Sequence, residues 1–286
     1  MVWLLLFVFG IAMGSFLNVV AVRYDGDHFL LSEKTIGGRS HCPHCKKTLR
    51  WFELVPLVSF IMLGGKCARC DVRIGFQYPL VELVSGLVFA LVPYRVETFF
   101  GLSGAALCGA AALWVVIFEA LLVMALIDVR LGIIPDELSA FLAVLAVFFG
   151  IFTVGYLGLA NVSLISFYGP LFGLQQNFWL NHIFAGLFAG AFFGLLILCT
   201  RGKGMGMGDL KLAIPLGLIF GWPDILLIIA FANVIGAIVG LAAVVVGKKT
   251  IHGTIPFGPF LAMGALTTFF FAYPLFQWYF SIIGLH

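Results

Sequence analysis

The chain has 286 residues, of which 62% are hydrophobic and only 10% are Asp, Glu, Lys or Arg. Soluble globular domains carry about 25% charged residues, so this composition excludes an ordinary soluble protein and predicts one that crosses a membrane several times. The formal net charge is only +3, and the positions of the cations are more informative than their number.

Apolar segments long enough to cross a bilayer recur along the whole chain. A hydrocarbon core of about 30 Å requires about 20 apolar residues in a helix. We therefore predict an all-α polytopic membrane protein with about eight transmembrane helices, near residues 2–22, 78–94, 103–127, 137–157, 180–200, 210–221, 223–246 and 256–282. The first segment lacks the charged start and the cleavage site of a signal peptide, so we interpret it as a retained span.

The cations lie in loops on one side of the predicted membrane. Every Lys and Arg except Arg95 lies in, or within two residues of, four loop segments that eight crossings place on one face, 23–77, 128–136, 201–209 and 247–255. The positive-inside rule makes that face cytoplasmic and both termini external.

The hydrophilic insertion at residues 23–77 contains two Cys-x-x-Cys pairs, separated by 21 residues and formed by Cys42, Cys45, Cys67 and Cys70. With this spacing, each pair can give two thiolates to one tetrahedral Zn²⁺, which leaves no open position for chemistry. Metal binding would supply much of the folding energy of so small a module. Disulfides or free thiols are the alternative, which a reducing cytoplasm disfavours.

Four other His and Cys residues are not interpreted as metal ligands. His41 and His44 flank the first pair and are expected to be neighbours of the ligands. Cys108 and Cys199 lie alone in apolar spans and are expected to be small core residues.

Acidic residues inside predicted spans are costly, and each one needs a function or a partner. Glu82 lies near the start of the second span, where the helix N-terminal dipole would stabilise it. Glu119 precedes Asp128 by nine residues, about 13 Å along a helix, and is too far away to share its water. Asp136, next to Glu137, is predicted to cap the following helix. Asp224 is expected at the external face.

A glycine-rich run ends in the second candidate acid, Asp209. Gly202, Gly204, Gly206 and Gly208 alternate with larger residues just before it. Glycines let another chain approach the backbone closely, so this loop can present a carboxylate to an extended peptide. A phosphate-binding loop is a weaker alternative, because the run lacks the Gly-Lys-Ser/Thr ending of a P-loop and ends in an acid. A purely structural loop is the other alternative.

The short sixth span predicts that Asp209 lies at membrane depth. Residues 210–220 cover only about 17 Å as a helix, so Asp209 is expected in a cavity reached from the cytoplasm. Two spans separate Asp128 from Asp209, which places both on the cytoplasmic side. Two close carboxyls can divide the work, one keeping its proton while the other acts as a base, and can hydrolyse a peptide without a metal. Ion transport is the alternative, but neither inverted repeats nor basic counter-charges are visible.

Several motifs in this order resemble the type IV prepilin peptidases, bacterial inner-membrane aspartic proteases of the GxGD class. The similar segments are GSFLNVV at 14–20 with Arg23, the two Cys-x-x-Cys pairs, YPLVEL at 78–83, Ile127-Asp128 with Ile134-Pro135-Asp136, GMGD at 206–209 and PFGPF at 256–260. The resemblance covers nearly the whole chain.

The resemblance implies a catalytic role for Asp128 and Asp209. It further implies prepilin or pseudopilin substrates, cut on the cytoplasmic side between a short basic leader and the hydrophobic stem. Such enzymes commonly methylate the new amino terminus with S-adenosylmethionine, and the segment 14–18 and the cysteine module look like the region of that activity. Membrane lipid surrounds such a protein, and no nucleic acid is expected among its partners.

We divide the chain into a first transmembrane helix at 1–22, a zinc-binding insertion at 23–77 and a membrane peptidase domain at 78–286. Two departures from the family pattern are a longer external stretch at 154–181 and Ile134 at a position where Leu is common. The alternative function is a zinc-ribbon membrane scaffold of a pilus or secretion machine that cuts nothing.

Overall fold

The structure is a computed structural model that describes residues 1–42, 44–159, 163–165, 173, 177–202, 204–246 and 255–283. Within these ranges the regular structure is helical, apart from two isolated β-bridges. In chain order the helices are α1 (Val2–Arg23), α2 (Glu33–Ile36), α3 (Val58–Met62), α4 (Gln77–Phe100), α5 (Gly104–Leu131), α6 (Asp136–Ile151, continued by a π-helical turn at Phe152–Tyr156), α7 (Phe178–Cys199), α8 (Met207–Phe220), α9 (Asp224–Val245) and α10 (Gly258–Ile283).

The predicted membrane helices are confirmed. Seven helices in the described residues are long and apolar enough to span a bilayer. The remaining predicted span, the sixth, is α8, which has 14 residues and is therefore about 21 Å long, shorter than the hydrocarbon core of about 30 Å. α8 begins at Met207 instead of Leu210, so Asp209 lies in its first turn and not in the preceding loop.

The chain forms two compact units, residues 1–127 and 128–286. In the first unit, α1 packs closely against α4 because glycines line the contact. A Cβ atom on Gly14 would lie 2.6 Å from the Cβ of Ser85, and one on Gly10 would lie 2.7 Å from the Cβ of Phe89. Small residues allow this approach in apolar surroundings, where van der Waals packing holds helices together.

The second unit is built from closely packed helix pairs. A Cβ on Gly217 of α8 would lie 2.5 Å from the carbonyl oxygen of Ala185 in α7, and one on Gly264 of α10 would lie 2.5 Å from that of Ile228 in α9. The backbones of each pair thus touch without intervening side chains. This packing fixes the short helix α8 against a full-length neighbour.

The end of α8 remote from Asp209 is held by Asn181 of α7. Its Oδ1 accepts a hydrogen bond from Trp222 N at 2.7 Å, and its Nδ2 donates to Trp222 O at 2.8 Å. Gly221 has a φ of +76°, and a Cβ there would lie 2.5 Å from Asn181 Oδ1. The turn after α8 therefore requires glycine.

Asp224, expected simply at the external face, is fully buried. Its carboxylate accepts hydrogen bonds from Leu164 N at 2.7 Å and from Ser163 Oγ at 3.1 Å. These hydrogen bonds connect Ser163 and Leu164 of the 154–181 stretch to the first residue of α9. Much of that stretch, at 160–162, 166–172 and 174–176, lies outside the described residues.

Two smaller predictions were wrong. Asp136 does not cap α6: it is the first helical residue, after Pro135, and its carboxylate accepts a hydrogen bond from Lys211 Nζ at 2.6 Å. Cys108 and Cys199 are exposed on the apolar helices α5 and α7 and are not core residues. A hydropathy pattern predicts that a helix is apolar but not which face packs against protein.

Candidate active site and metal cluster

Asp128 lies near the end of α5 and is 4% exposed. Its Oδ2 accepts a hydrogen bond of 3.0 Å from the backbone N of Gly258, the first residue of α10. The helix ends just beyond Asp128, where Gly132 N donates a hydrogen bond of 2.8 Å to the carbonyl oxygen of Asp128. Gly132 has a φ of +68°. A left-handed glycine after the last turn is a common helix ending, and here it turns the chain sharply into the short loop before α6.

Asp209 is the third residue of α8 and is 8% exposed. Its backbone N donates to Gly206 O at 3.3 Å, and Gly206 is extended, so the helix starts directly from the glycine run. A carboxylate in the first turn is favourably placed for the helix dipole. The dipole stabilises a negative charge that burial would otherwise penalise.

The two aspartates come together in the second unit, where their carboxyl groups interact electrostatically. The side chain of Ile134 packs against two glycines of the site, Gly208, which precedes Asp209, and Gly258, which bonds Asp128. A Cβ on Gly208 would lie 3.1 Å from Ile134 Cβ, and a Cβ on Gly258 would lie 3.3 Å from Ile134 Cδ1 and 2.6 Å from Asp128 Oδ2. The site therefore consists of two buried acids, one apolar side chain and two glycines. Because these glycines have no side chain, the Asp128 carboxyl group and Ile134 can lie close to the backbone.

Gly258 had no predicted role, although it belongs to the motif Pro256-Phe257-Gly258. The hydrogen bond joins residues 130 positions apart, so no local pattern could reveal it. Lys211 was likewise missed. Its exposed ion pair with Asp136 links the first turns of α8 and α6 beside the aspartates.

Two carboxyl groups at close range can perform acid–base chemistry. One can hold a proton while the other removes one, because two adjacent negative charges are costly together. The backbone N–H of Gly258 donates to Asp128 Oδ2 and favours the ionised form of that carboxyl group.

The four cysteines of the insertion also come together. Their sulfur atoms all lie within 4.8 Å of one another, and the Sγ atoms of Cys42 and Cys70 are 3.8 Å apart. Four thiolates at about 2.3 Å from a tetrahedral Zn²⁺ would be separated by about 3.8 Å, whereas bonded sulfurs lie about 2.05 Å apart. All four cysteines are free thiols, and together they can hold a structural metal ion.

The same backbone turn presents each pair of cysteines. Cys42 N donates to Lys47 O at 3.0 Å, and Lys46, with a φ of +57°, donates from its N to Cys42 O at 3.0 Å. The arrangement recurs 25 residues later with Cys67, Asp71 and Val72. The insertion is thus a tandem of two equivalent knuckles, and no histidine joins the cluster within the described residues.

Hydrogen bonding makes the four thiols unequal. A bond from the backbone of Cys45 is the largest influence on Cys42 and lowers the pKa of that thiol to about 7. At Cys70 a backbone bond from Val72 lowers the pKa, but burial and the neighbouring thiols outweigh it and raise the pKa to about 11. One thiolate is thus stabilised at the expense of its neighbours, as expected of four metal-free thiols at this spacing.

The other two acids in predicted spans, Glu82 and Glu119, form hydrogen bonds with residues of the first unit. Glu82 is the sixth residue of α4 and lies beyond the first turn, where a helix dipole would stabilise a carboxylate. Its Oε2 accepts a hydrogen bond from Leu57 N at 2.8 Å. Glu119 Oε1 accepts from Ser85 Oγ at 2.9 Å, and this hydroxyl also contacts Gly10 O at 2.7 Å. Glu119 Oε2 is buried and has no partner in the described part of the chain.

Comparison with known proteins identifies the family. Residues 8–96 match the bacterial Peptidase A24 N-terminal domain, and residues 115–241 match the type IV leader peptidase family. A protein of Burkholderia pseudomallei named prepilin leader peptidase/N-methyltransferase is 34% identical over 290 residues, covering 94% of this chain and 85% of the relative. The chain belongs to the type IV leader peptidase family.

Relatives from distant bacteria carry the same name. The Bacillus subtilis protein is 30% identical and aligns over 96% of both chains, and the Pseudomonas aeruginosa protein is 31% identical over 89% of this chain and 85% of its own. No solved structure matches the chain significantly. The family and the seven apolar helices together make this a multi-pass inner-membrane protein.

Proposed function

We propose that this protein is a membrane aspartic endopeptidase that removes the leader peptide from prepilins or pseudopilins at the cytoplasmic face and then methylates the new amino terminus. The observation that carries the proposal is that Asp128 and Asp209 are both buried and that their carboxyl groups are near enough to influence each other electrostatically. The shared name of the relatives, prepilin leader peptidase/N-methyltransferase, supports both activities.

The two aspartates divide the hydrolysis between them. The ionised carboxylate takes a proton from a water, whose oxygen attacks the carbonyl carbon of the scissile peptide bond, while the protonated carboxyl donates a hydrogen bond to the carbonyl oxygen. When the tetrahedral intermediate collapses, the C–N bond breaks and the leaving nitrogen receives a proton from a carboxyl. No covalent enzyme intermediate is needed.

The glycines around the dyad suit a peptide in extended form. Gly208 is covered by Ile134, but a Cβ on Gly206 would have only Asp209 Oδ2 and Gly208 N near it, both at 3.9 Å, so a substrate backbone can lie against Gly206. The short helix α8 supports a position of Asp209 below the cytoplasmic membrane surface. In this arrangement the small residues at the end of the leader reach the aspartates while the apolar stem of the pilin stays in lipid.

S-adenosylmethionine supplies the methyl group when it is bound. Its aminocarboxylate end and the pilin amino terminus both need buried polar partners. The first unit contains such groups, among them Asn18, which is fully buried and keeps one amide donor unpaired.

The metal held by the cysteines is proposed to be Zn²⁺. Four sulfur ligands and no further donor describe a closed structural site, and zinc is the usual metal of such sites. In the proposed organisation residues 23–77 form the zinc-binding insertion between the helix at 1–22 and the peptidase domain at 78–286. A membrane scaffold without catalysis would account for the cysteines and the spans, but not for the buried aspartate pair.

Purified protein in detergent, incubated with a prepilin, tests the proposal through loss of the leader. Asp128→Asn and Asp209→Asn each keep the size of the side chain and remove the titrating group, so we expect each to lower cleavage at least about a thousandfold. Glu119→Gln, the same kind of change at another buried acid, is the matched control and should retain substantial cleavage. Near-normal cleavage by either folded asparagine variant would contradict the dyad, and a loss in Glu119→Gln as complete as theirs would mean that the wrong pair has been chosen.

A further inference from the structure

Asn18 has an unexplained buried donor at the contact of α1 with α4. The residue is fully buried, its Oδ1 accepts from Gln77 Nε2 at 3.0 Å, and its Nδ2 has no partner in the described residues. Buried donors are nearly always paired, because an unpaired one forfeits its hydration without return. The amide is therefore suited to a ligand that brings an acceptor.

Glu82 lies on the facing surface of α4 and is a buried carboxyl without a counter-charge. It is 6% exposed, and its Oε2 accepts a hydrogen bond of 2.8 Å from the backbone N of Leu57. Neither of the ion pairs among the described residues includes it. A buried carboxylate with only neutral donors around it favours a cationic ligand.

The two groups are close enough to bind one small ligand. Ser15 and Asn18 are three residues apart on α1, so their side chains are neighbours about 5–6 Å apart on one helix face. A Cβ on Gly14, the residue before Ser15, would lie 3.0 Å from Glu82 Cα, which places Glu82 about one turn of α1 from the free amide donor of Asn18. Asn18 precedes Arg23, the last residue of α1, by about 8 Å along the helix, so the pair lies near the end that leads into the insertion.

We propose that Asn18 and Glu82 bind the α-amino acyl group of a methyl-transfer substrate, Glu82 contacting the ammonium and Asn18 Nδ2 the adjacent carbonyl or carboxylate oxygen. This inference rests on the proposed methylation activity. Two molecules in that reaction carry such a group, the newly exposed pilin amino terminus and S-adenosylmethionine.

If the group is the pilin amino terminus, Glu82 has a second task. The Glu82 carboxylate is placed to take one proton from the ammonium, which frees the lone pair of the nitrogen. In methyl transfer from a sulfonium, that lone pair forms the new N–C bond while the S–C bond breaks with its electrons left on sulfur, and the methylated amine keeps the positive charge.

The test uses full-length protein in detergent with a prepilin and S-adenosylmethionine, and reads leader loss and added methyl groups on the same product by mass spectrometry. Glu82→Gln keeps a carbonyl oxygen for Leu57 N but removes the charge, and Asn18→Ala removes the free donor. Glu97→Gln, an exposed position on the same helix, is the matched control. We expect methylation to fall at least about tenfold in the first two variants, as loss of a hydrogen bond to a charged group predicts, and to stay normal in the control.

Equilibrium dialysis of labelled S-adenosylmethionine without peptide separates the two sources. Loss of binding in the variants assigns the site to the methyl donor, whereas retained binding with a raised KM for the peptide assigns it to the pilin amino terminus. Cleavage by the same sample shows that a variant is folded; if Glu82→Gln misfolds, Asn18→Ala decides.

Two results would overturn the inference. Normal methylation in folded Glu82→Gln or Asn18→Ala overturns the site and leaves the proposed function standing. Wild-type protein that cleaves but never methylates removes the methylation half of the proposed function, and this site with it.

Discussion

At the scale of single residues, the site depends on side chains that are absent as much as on those that are present. A Cβ on Gly258 would lie 2.6 Å from Asp128 Oδ2, which is shorter than a van der Waals contact allows. It would also lie 3.3 Å from Ile134 Cδ1. Even a methyl group there must displace the carboxyl or the start of α10.

Gly258→Ala should therefore disable the peptidase without unfolding the protein. A shift of about 1 Å in a catalytic group costs about a hundredfold in rate, so we expect a loss of that order in kcat for leader cleavage. Gly155→Ala, at a glycine where no atom of the described residues lies within 4 Å of the added atom, is the control. A Gly258→Ala enzyme as fast as wild type would show that the hydrogen bond to Asp128 is not needed in catalysis.

The ion pair of Lys211 with Asp136 is a weaker support. Its side chains are 46% and 73% exposed, and exposed pairs contribute at most about 1 kcal/mol. Asp136→Asn should lower the free energy of unfolding by no more than this and leave cleavage within about threefold of normal, as measured by denaturant titration and the prepilin assay. The double variant with Lys211→Met should cost little beyond the single one, because the partner is already lost.

These residue-scale features show where prediction from sequence stops. Asp128 and Asp209 were selected because carboxylates are rare in apolar segments and costly there. The roles of Gly258 and of the Asn18 amide could not be predicted, since each depends on a contact between distant segments, 130 residues apart for Gly258 and 59 for Asn18 with Gln77.

At the scale of helices and loops, hydropathy predicted where each membrane helix lies, because length and apolar content are local properties, although α4 ends at Phe100, six residues beyond the predicted boundary. The start of α8 differed, since Met207 and Gly208 follow a glycine run that is unfavourable to helix. Packing of Gly208 against Ile134 outweighs that preference and draws Asp209 into the helix.

We expect the insertion to depend on a bound metal more than on a hydrophobic core. Its two knuckles are held by a few backbone bonds around Cys42 and Cys67, and so small a module gains much of its folding energy from the ion. We expect purified, reduced protein to contain about one zinc per chain by elemental analysis. Cys42→Ser with Cys45→Ser should remove it.

Loss of the metal should loosen residues 23–77 and leave the membrane helices intact. Limited proteolysis should then cut within the insertion, while helicity by circular dichroism stays near that of the wild type. Paired replacement of the exposed Cys108 and Cys199 is the control and should leave both zinc and protease resistance unchanged. Protein prepared without chelators that holds no zinc would contradict the assignment, and cleavage should suffer less than methylation because the cysteines and the aspartates belong to different units.

At the scale of the whole molecule, the sites of both proposed activities must be accessible to the prepilin from the side of the membrane on which its leader lies. Every cation except Arg95 belongs to loops that eight crossings place on one face or to the first residues after them, which supports a cytoplasmic position for the insertion and for both aspartates. Hydrolysis consumes water, so the dyad needs an aqueous path from that face. α8 is too short to reach from surface to surface, which gives room for one.

Single cysteines at positions 205 to 212, in protein whose Cys108 and Cys199 are replaced, test this topology. A membrane-impermeant thiol reagent applied from the cytoplasmic side should label the positions that face the cavity, and a bound prepilin should protect them, because the extended substrate lies against the glycines before Asp209. A cysteine at Asn177, the exposed residue just before α7, belongs to the opposite face in this topology and should stay unlabelled. Uniform labelling of 205 to 212 that a prepilin does not change would place Asp209 in a surface loop outside the membrane, and labelling of the Asn177 position from the cytoplasmic side would invert the topology.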